Sequence, residues 1–184
     1  MMDRSTAEWY AIRVTYSQEL KLKQYLDTLG VESFIPMRYV DKTVGEKNVR
    51  LLVPVIHNLL FVHSSRQHLD EIKSQVSYMR YMIDRATSRP MVIPLRQMEH
   101  FMAIANTFDE QLHYIESPDF RLQRGDRVRI KDGPFKGVEG IYLRIRGDRR
   151  VVVSIDGFLA VATAFIHPTL LEKVEEGKIV NSEW

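Results

Sequence analysis

The sequence contains no cysteine in 184 residues. The chain therefore forms no disulfides and no thiolate metal sites, and this composition is typical of a reducing compartment. No apolar run approaches the roughly 20 residues that a membrane-spanning helix needs, and residues 1–5 have no signal-peptide core. From these absences we expect a cytoplasmic protein that binds no membrane.

Motifs of catalysis and cofactor binding are also missing. The sequence has neither a glycine-rich phosphate loop nor a nucleophile elbow. Among its histidines, His63 and His68 are the best-spaced pair, but they lie across a predicted strand–helix boundary, which disfavours a metal site. Asp126 and Asp132 stand among basic residues, where they more readily shape turns than move protons. We predict a protein that is not an enzyme and holds no metal or cofactor.

An excess of one charge is absent from the chain as a whole, since the net charge is only +2. The exception is residues 121–150, where ten basic residues stand against four acidic ones. This local excess leaves two interpretations open. It is either a solvated surface or a contact region for nucleic acid or an acidic protein surface.

The first part of the chain alternates strand and helix patterns. Residues 9–14 are aromatic and β-branched, which predicts a strand. Ser17 is a candidate N-cap for the helix that follows, and Gly30 is a candidate residue for its C-terminal end. Pro94 suits the first turn of a later helix. This alternation predicts strands and helices around one sheet, an α+β or α/β sandwich, for residues 7–108.

The middle of this part contains a second strand at residues 31–36 and a charged segment, 38–50, that predicts an extended hairpin or a loop. Residues 51–62 form a nearly continuous apolar run, which is typical of a central strand covered on both faces. Ser64 or Ser65 is the candidate N-cap of the next helix.

Helix patterns stop after residue 108. We predict a linker over residues 109–119, where Ser117 and Pro118 interrupt regular structure, and a tail over 176–184. The segment 120–175 contains five short strand patterns, with Asp156-Gly157 as a turn. Such a spacing predicts a small five-stranded β-barrel.

Residues 125–140 are the most informative segment. Val128 and Ile130 alternate with arginines, which predicts a strand with one apolar and one basic face. Asp132-Gly133-Pro134 is a turn signal. Gly137 and Gly140 remove side chains where backbones bulge or approach closely.

This segment resembles the KOW motif, found in transcription factors of the NusG type and in some ribosomal proteins. The opening Trp9-Tyr10-Ala11-Ile12, the segment 53–62 and the later Met91-Val92-Ile93-Pro94 also resemble the NusG family in order and spacing. The likeness covers nearly the whole chain. It implies a NusG-like N-terminal domain followed by a KOW (SH3-like) barrel.

The departures from the family pattern lie in residues 56–59. His57-Asn58-Leu59 stands where the family usually has Pro-Gly-Tyr or Pro-Asn-Tyr, and Ile56 stands where an aromatic residue is common. The chain is in this respect similar to the specialised RfaH and UpxY groups. These act on particular long operons, often for surface polysaccharides.

The resemblance implies a transcription elongation or antitermination factor that suppresses pausing and termination. In the family, the N-terminal domain binds the clamp helices of the largest RNA polymerase subunit. The positions that match this surface are Tyr10, Ile12, Arg13, Phe34, Ile56, His57, Leu59, Phe61 and Met98. For residues on central strands, such as Ile12 and Phe61, burial in the core is the competing interpretation, and Arg13 is equally compatible with a solvated strand position.

In the family, the KOW domain recruits a ribosomal protein or the Rho termination factor. The matching candidates are Phe135, Lys136, Ile141, Arg144 and Phe165. Phe135 is the leading candidate, because a phenylalanine in a turn is expected to be poorly buried. A role as a plug of the barrel remains open for it, as does a refolding of this domain into helices.

Contact with non-template DNA in the polymerase cleft is a further expectation for a specialised member. Its candidates are Lys21, Lys23, Arg66, Gln67 and His68, although charges on helix surfaces usually serve solvation. The alternative function is that of a KOW-type RNA-binding protein associated with ribosomal or structured RNA. We expect a monomer.

Overall fold

The computed structural model describes residues 6–116, 125–155 and 159–174, and the chain divides into two compact units between Glu110 and Gln111. The predicted turn at Asp156-Gly157, the Ser117-Pro118 break and the tail 176–184 lie outside the described residues. None of the helices in the described ranges has the length and apolarity required to cross a membrane.

The first unit contains three α-helices among the described residues and several short strands. Its elements in chain order are β1 (Glu8–Val14), α1 (Glu19–Thr28), β2 (Glu32–Phe34), β3 (Met37–Val44), β4 (Lys47–Pro54), β5 (Leu59–Ser64), α2 (Arg66–Gln75), β6 (Met79–Tyr81), β7 (Ile83–Asp84), β8 (Arg89–Pro90), β9 (Val92–Ile93) and α3 (Leu95–Ala105). The main sheet has the order β2-β5-β1-β6, and β9 also pairs with β1. All of these pairs are antiparallel. The predicted α+β class is therefore confirmed.

Alternation along the central strands sends side chains to both faces of this sheet. Tyr10 and Ile12 of β1 share a buried cluster with Leu22 of α1 and Leu69 of α2. The opposite face carries Phe61, whose ring lies 6.3 Å from that of Phe101 in α3. The sheet is thus covered by α1 and α2 on one face and by α3 on the other.

The helix starts show which local predictions were right. Ser65 caps α2, since its backbone is extended and its hydroxyl accepts a hydrogen bond from the His68 amide. Ser17 does not cap α1, which corrects the prediction. Its φ of 51° is left-handed rather than extended, and Gln18 holds the cap position without a side-chain hydrogen bond. Pro94, predicted for the first turn of a helix, holds the cap position directly before α3 instead.

The apolar run 51–62 is not one buried strand, which is a second correction. Leu51 and Leu52 belong to β4, which among the described residues pairs only with β3, in a two-stranded ribbon. The two leucines are 37% and 41% exposed. Only the second half of the run, in β5, is a central strand of the main sheet. The hairpin predicted for residues 38–50 is part of this ribbon, which turns at Gly45.

The second unit consists of strands. They are β10 (His113–Glu116), β11 (Asp126–Ile130), β12 (Glu139–Ile145), β13 (Asp148–Ile155), β14 (Leu159–Ala162) and β15 (Leu171–Lys173), with a short 3-10 turn at Pro168–Leu170. They form one antiparallel sheet in the order β10-β14-β13-β12-β11-β15. Closure of this sheet as a KOW barrel stays a prediction.

Strand β10 lies within residues 109–119, the segment that the sequence predicts to be a linker. It pairs with β14 over residues 113–116. Just before it, the guanidinium of Arg150 donates hydrogen bonds of 2.7 Å to the carbonyl oxygens of both Gln111 and Thr163. Arg150 is only 6% exposed. These bonds attach the start of β10 to the sheet, so this strand depends on distant partners rather than on its own composition.

Candidate partner-binding surfaces

The positions that match the family's polymerase-binding surface divide into buried and accessible ones. Tyr10, Ile12, Leu59, Phe61 and Met98 are each at most 4% exposed. Because these side chains pack between the sheet and its helices, they support the fold and present no contact surface. This finding corrects the expectation for these five. The core interpretation is the right one for Ile12 and Phe61.

The accessible positions are Arg13 and His57, which are exposed, and Phe34 and Ile56, which are half-buried. Arg13 is the register partner of Leu59 at the start of β5, and Phe34 is the partner of Phe61. The ring of Phe34 also lies 6.3 Å from that of Phe101. We name Arg13, Phe34, Ile56 and His57 the β5-start surface.

The loop that presents Ile56 and His57 is held by backbone hydrogen bonds. The carbonyl of Asn58 accepts from the Val14 amide at 3.0 Å, and its side-chain oxygen accepts from the Ser17 amide at 2.7 Å. Asn58 has φ 65°. Asparagine tolerates this left-handed conformation better than most residues, so Gly or Asn is suited to this position.

His57 lies above a buried carboxylate. Its Nδ1 is 3.7 Å from Oε1 of Glu19, whose side chain is 2% exposed. His57 itself is 71% exposed. Arg13 and Phe34 are paired with Leu59 and Phe61, on the sheet face that α3 covers, whereas His57 lies against Glu19 at the start of α1. The β5-start surface is thus a set of accessible positions on both sides of the start of β5.

The residues expected to contact non-template DNA lie on or beside the helices α1 and α2. Lys23 forms an ion pair with Asp27 at 3.1 Å, and Arg66 one with Asp70 at 2.9 Å. Burial opposes ionisation of the Asp70 carboxyl, but its hydrogen bonds from Arg66 and Tyr81 outweigh this effect and lower its pKa. Both basic residues are therefore partly neutralised. Lys21, Gln67 and His68 are exposed.

The histidine pair considered for metal binding has other partners. Nδ1 of His63 lies 2.9 Å from Oε2 of Glu32, and Nδ1 of His68 lies 3.2 Å from the Ser64 hydroxyl. Within the described ranges, no group of three or more His, Asp or Glu residues is arranged to hold a metal ion.

In the second unit, Phe135 is 5% exposed. The expectation of a poorly buried turn phenylalanine is therefore wrong. The turn around Phe135 is closed by two backbone hydrogen bonds. The Gly137 amide donates to the Ile130 carbonyl at 2.8 Å, and the Ile130 amide donates to the Val138 carbonyl at 2.9 Å. Ile141 is half-buried, whereas Lys136, Arg144 and Phe165 are exposed.

The basic face predicted for β11 is largely neutralised. Arg129 donates to Oε1 of Glu139 at 2.6 Å and to Oε1 of Glu172 at 3.2 Å, and Arg127 lies 3.7 Å from Glu139. These pairs cross three neighbouring strands, β12, β11 and β15. This face is less suited to a polyanion than the composition indicated.

Comparison with known proteins shows which family the chain belongs to. The family model described as "Transcription termination factor nusG" matches residues 7–102, just over half of the chain. The chain belongs to the NusG family. Its family resemblance, noted from the sequence, is confirmed, and no curated protein matches it.

Among solved structures, this NusG family member is similar to one titled "Domain interaction in Thermotoga maritima NusG". That likeness covers 94% of this chain and 100% of the other at 20% identity, with a TM-score of 0.46. The family match begins just before β1 and ends within α3. The second unit lies outside it, and its assignment as a KOW domain stays a prediction.

The sequence marks Arg144 as a candidate contact and Arg127 and Arg129 as a basic strand face, but it does not indicate which arginines of the second unit lack an acidic partner. Within the described ranges, Arg144, Arg146 and Arg149 form no ion pair, in contrast to Arg127 and Arg129. The signal that separates them is their position on either side of a two-residue turn, in which Arg146 and Gly147 both have positive φ.

Proposed function

We propose that this protein is a transcription elongation or antitermination factor that binds RNA polymerase through its first unit and reduces pausing and termination. The observation that carries the proposal is the family match over residues 7–102. Proteins of the NusG family bind RNA polymerase. In such a factor the first unit provides affinity for the polymerase and no chemical step.

We propose that the contact is the β5-start surface. Support comes from accessibility: Arg13 and His57 are exposed, and Ile56 directly precedes His57 in a loop anchored to β1. A partner made of paired helices buries such a patch through apolar contacts at its centre and polar ones at its rim. The clamp helices of the largest polymerase subunit are the expected partner.

A specialised role on particular long operons, as in the RfaH and UpxY groups, is part of the proposal. It is supported by the departures at Ile56 and His57, which alter the side chains offered to the partner. The second unit would recruit a further factor, a ribosomal protein or Rho. Of its candidate residues, Phe165 is the most accessible apolar one, at 53% exposure.

The test is capture of purified RNA polymerase by the full chain and by an Ile56→Asp variant. We expect the variant to lose at least about tenfold in affinity, since charge is introduced at the centre of the contact. Ile83→Asp is the matched control, because Ile83 is 53% exposed on β7 and outside the surface. Leu59→Asp is unsuitable, since Leu59 is buried and the variant would unfold the sheet.

Transcription on a template with a pause and a terminator completes the test. Wild type and Ile83→Asp should shorten the pause and raise read-through, and Ile56→Asp should do neither. Equal capture of polymerase by the two variants would remove the β5-start surface from the proposal. Absence of capture by the wild type would remove polymerase binding itself.

A further inference from the structure

The hairpin formed by β12 and β13 carries three arginines around a two-residue turn. Arg146 has φ 50° and Gly147 has φ 94°, which is the pattern of a type I′ turn. Asn or Asp is favoured at the first position of such turns, since other residues are strained there. Arginine at this position is therefore not explained by the needs of the turn.

Arg144 and Arg149 face each other across the hairpin. They are register partners in the antiparallel pair, so their side chains leave the same face of the sheet. Like charges placed directly opposite destabilise a strand pair. The nearest acidic residues along the hairpin and its neighbour are engaged elsewhere, Asp148 with Arg150 and Asp126 with Lys173.

These two arginines line a cleft of about 550 Å³. The lining residues are Gly125, Asp126, Tyr142, Leu143, Arg144 and Arg149. The guanidinium of Arg149 lies 5.6 Å from the centre of the Tyr142 ring, and the Tyr142 hydroxyl donates a hydrogen bond to the Ile166 carbonyl at 3.1 Å. Tyr142 is thereby fixed in place and supports Arg149 at the cleft.

An exposed aromatic residue is the chain neighbour of a residue that bonds to this arrangement. Phe165 is 53% exposed and directly precedes Ile166. The Ile166 amide donates a hydrogen bond to the Arg149 carbonyl at 3.4 Å, and the Ile166 carbonyl accepts one from the Tyr142 hydroxyl. Guanidinium groups bind phosphate in a bidentate way, and exposed rings stack on unpaired bases. A partner with both phosphates and unstacked bases uses all of these groups.

We propose that the cleft between Arg144 and Arg149 binds a single-stranded polynucleotide, with the two arginines on the phosphates and Phe165 available to stack on a base. This inference goes beyond the proposed function and does not depend on polymerase binding. Nascent RNA and a displaced DNA strand share the required chemistry.

The test is fluorescence anisotropy of the full chain with labelled oligouridine and oligothymidine of about twelve nucleotides, within the usual range of single-strand site sizes. A double variant, Arg144→Gln with Arg149→Gln, should bind at least about tenfold more weakly. Its log–log salt slope should be smaller by about 1.4, which corresponds to two lost phosphate contacts on a single strand. Urea unfolding of each variant establishes that it is folded.

Two controls accompany this measurement. Arg127→Gln removes one positive charge, half of the change in the double variant, on the other face of the sheet, since Arg127 pairs with Ile141 whereas Asp126 pairs with Tyr142. It should bind within about twofold of wild type if the site, rather than net charge, is responsible. Arg144→Lys with Arg149→Lys keeps the charge and should keep most of the salt slope.

Tighter binding of oligouridine would identify RNA as the source of the strand, and tighter binding of oligothymidine would identify DNA. The proposal is overturned if the wild type binds neither strand or if the double glutamine variant binds as the wild type does. It is also overturned if duplex DNA binds as tightly, or if polyglutamate displaces the strand as effectively as unlabelled oligonucleotide.

Discussion

Gly140→Ala is the substitution whose effect the structure specifies most closely. Gly140 lies in β12, the register partner of Val128 in β11. A Cβ at this position would lie 2.5 Å from the carbonyl oxygen of Val152 and 2.8 Å from Cγ1 of Val151. Contacts this short do not occur in folded proteins. Because one of them is to backbone, no side-chain rotation relieves it, and β12 and β13 must separate.

Overpacking of this kind costs about 1–3 kcal/mol. The site lies in the middle of a sheet whose neighbouring residues Val151 and Val152 are fully buried, so we expect about 2 kcal/mol, or a roughly 30-fold change in the unfolding constant. Gly133→Ala is the matched control in the same motif. No atom lies within 4 Å of its would-be Cβ, and only its φ of 87° is unfavourable, which costs about 1 kcal/mol.

Amide hydrogen exchange separates the two units. Exchange of the β13 amides should accelerate by roughly 30-fold in Gly140→Ala and by roughly fivefold in Gly133→Ala. Amides of β5 in the first unit serve as the internal reference. If β13 exchanges no faster in Gly140→Ala than in Gly133→Ala, close backbone approach is not the reason for glycine at this position.

Two other predictions address single interactions. Ser65→Ala removes the hydrogen bond to the His68 amide and should lower the free energy of unfolding by about 1 kcal/mol, as measured by urea denaturation; Ser74→Ala, on the same helix but outside the cap, should cost less. Burial lowers the pKa of His113, as do the positive charges of Arg150 and Arg146. The unfolded chain therefore binds a proton at His113 more readily than the folded chain does. The stability that depends on a neutral His113 is fully present above the unfolded pKa of about 6.5 and is lost as the pH falls. The stability difference between wild type and His113→Gln should shrink on acidification, and a difference independent of pH would contradict the assignment.

Local signals predicted much of the first unit. The strand at Trp9, the glycine after α1 and the proline at the start of α3 each depend on a residue's own conformational preference. The structure agrees with the first two and places the proline at the cap position instead. Ser17 failed as a cap because its amide is bound by Asn58, 41 positions away. A long-range contact of this kind leaves no trace in the local sequence.

Burial was harder to predict than secondary structure. The apolar pattern of residues 51–62 is the same for an exposed ribbon as for a buried strand, so it did not separate Leu51 from Leu60. The family resemblance named positions on and around β5 as the candidate surface but did not tell which side of each strand is covered by a helix. Phe135 is buried by backbone bonds that close its turn, which the turn signal alone does not indicate.

In the part of the chain that the structure describes, the ribbon of β3 and β4 pairs with no further strand on either edge. Its base is attached where the Tyr39 ring lies 6.2 Å from that of Phe108 and where Arg50 pairs with Glu110. Toward Gly45 every residue is exposed, and isolated two-stranded hairpins are marginally stable. Substitutions there cost the core almost nothing. Insertions, deletions or new charges in this arm therefore leave the folding of the domain intact, so the arm can change its binding properties independently of the core.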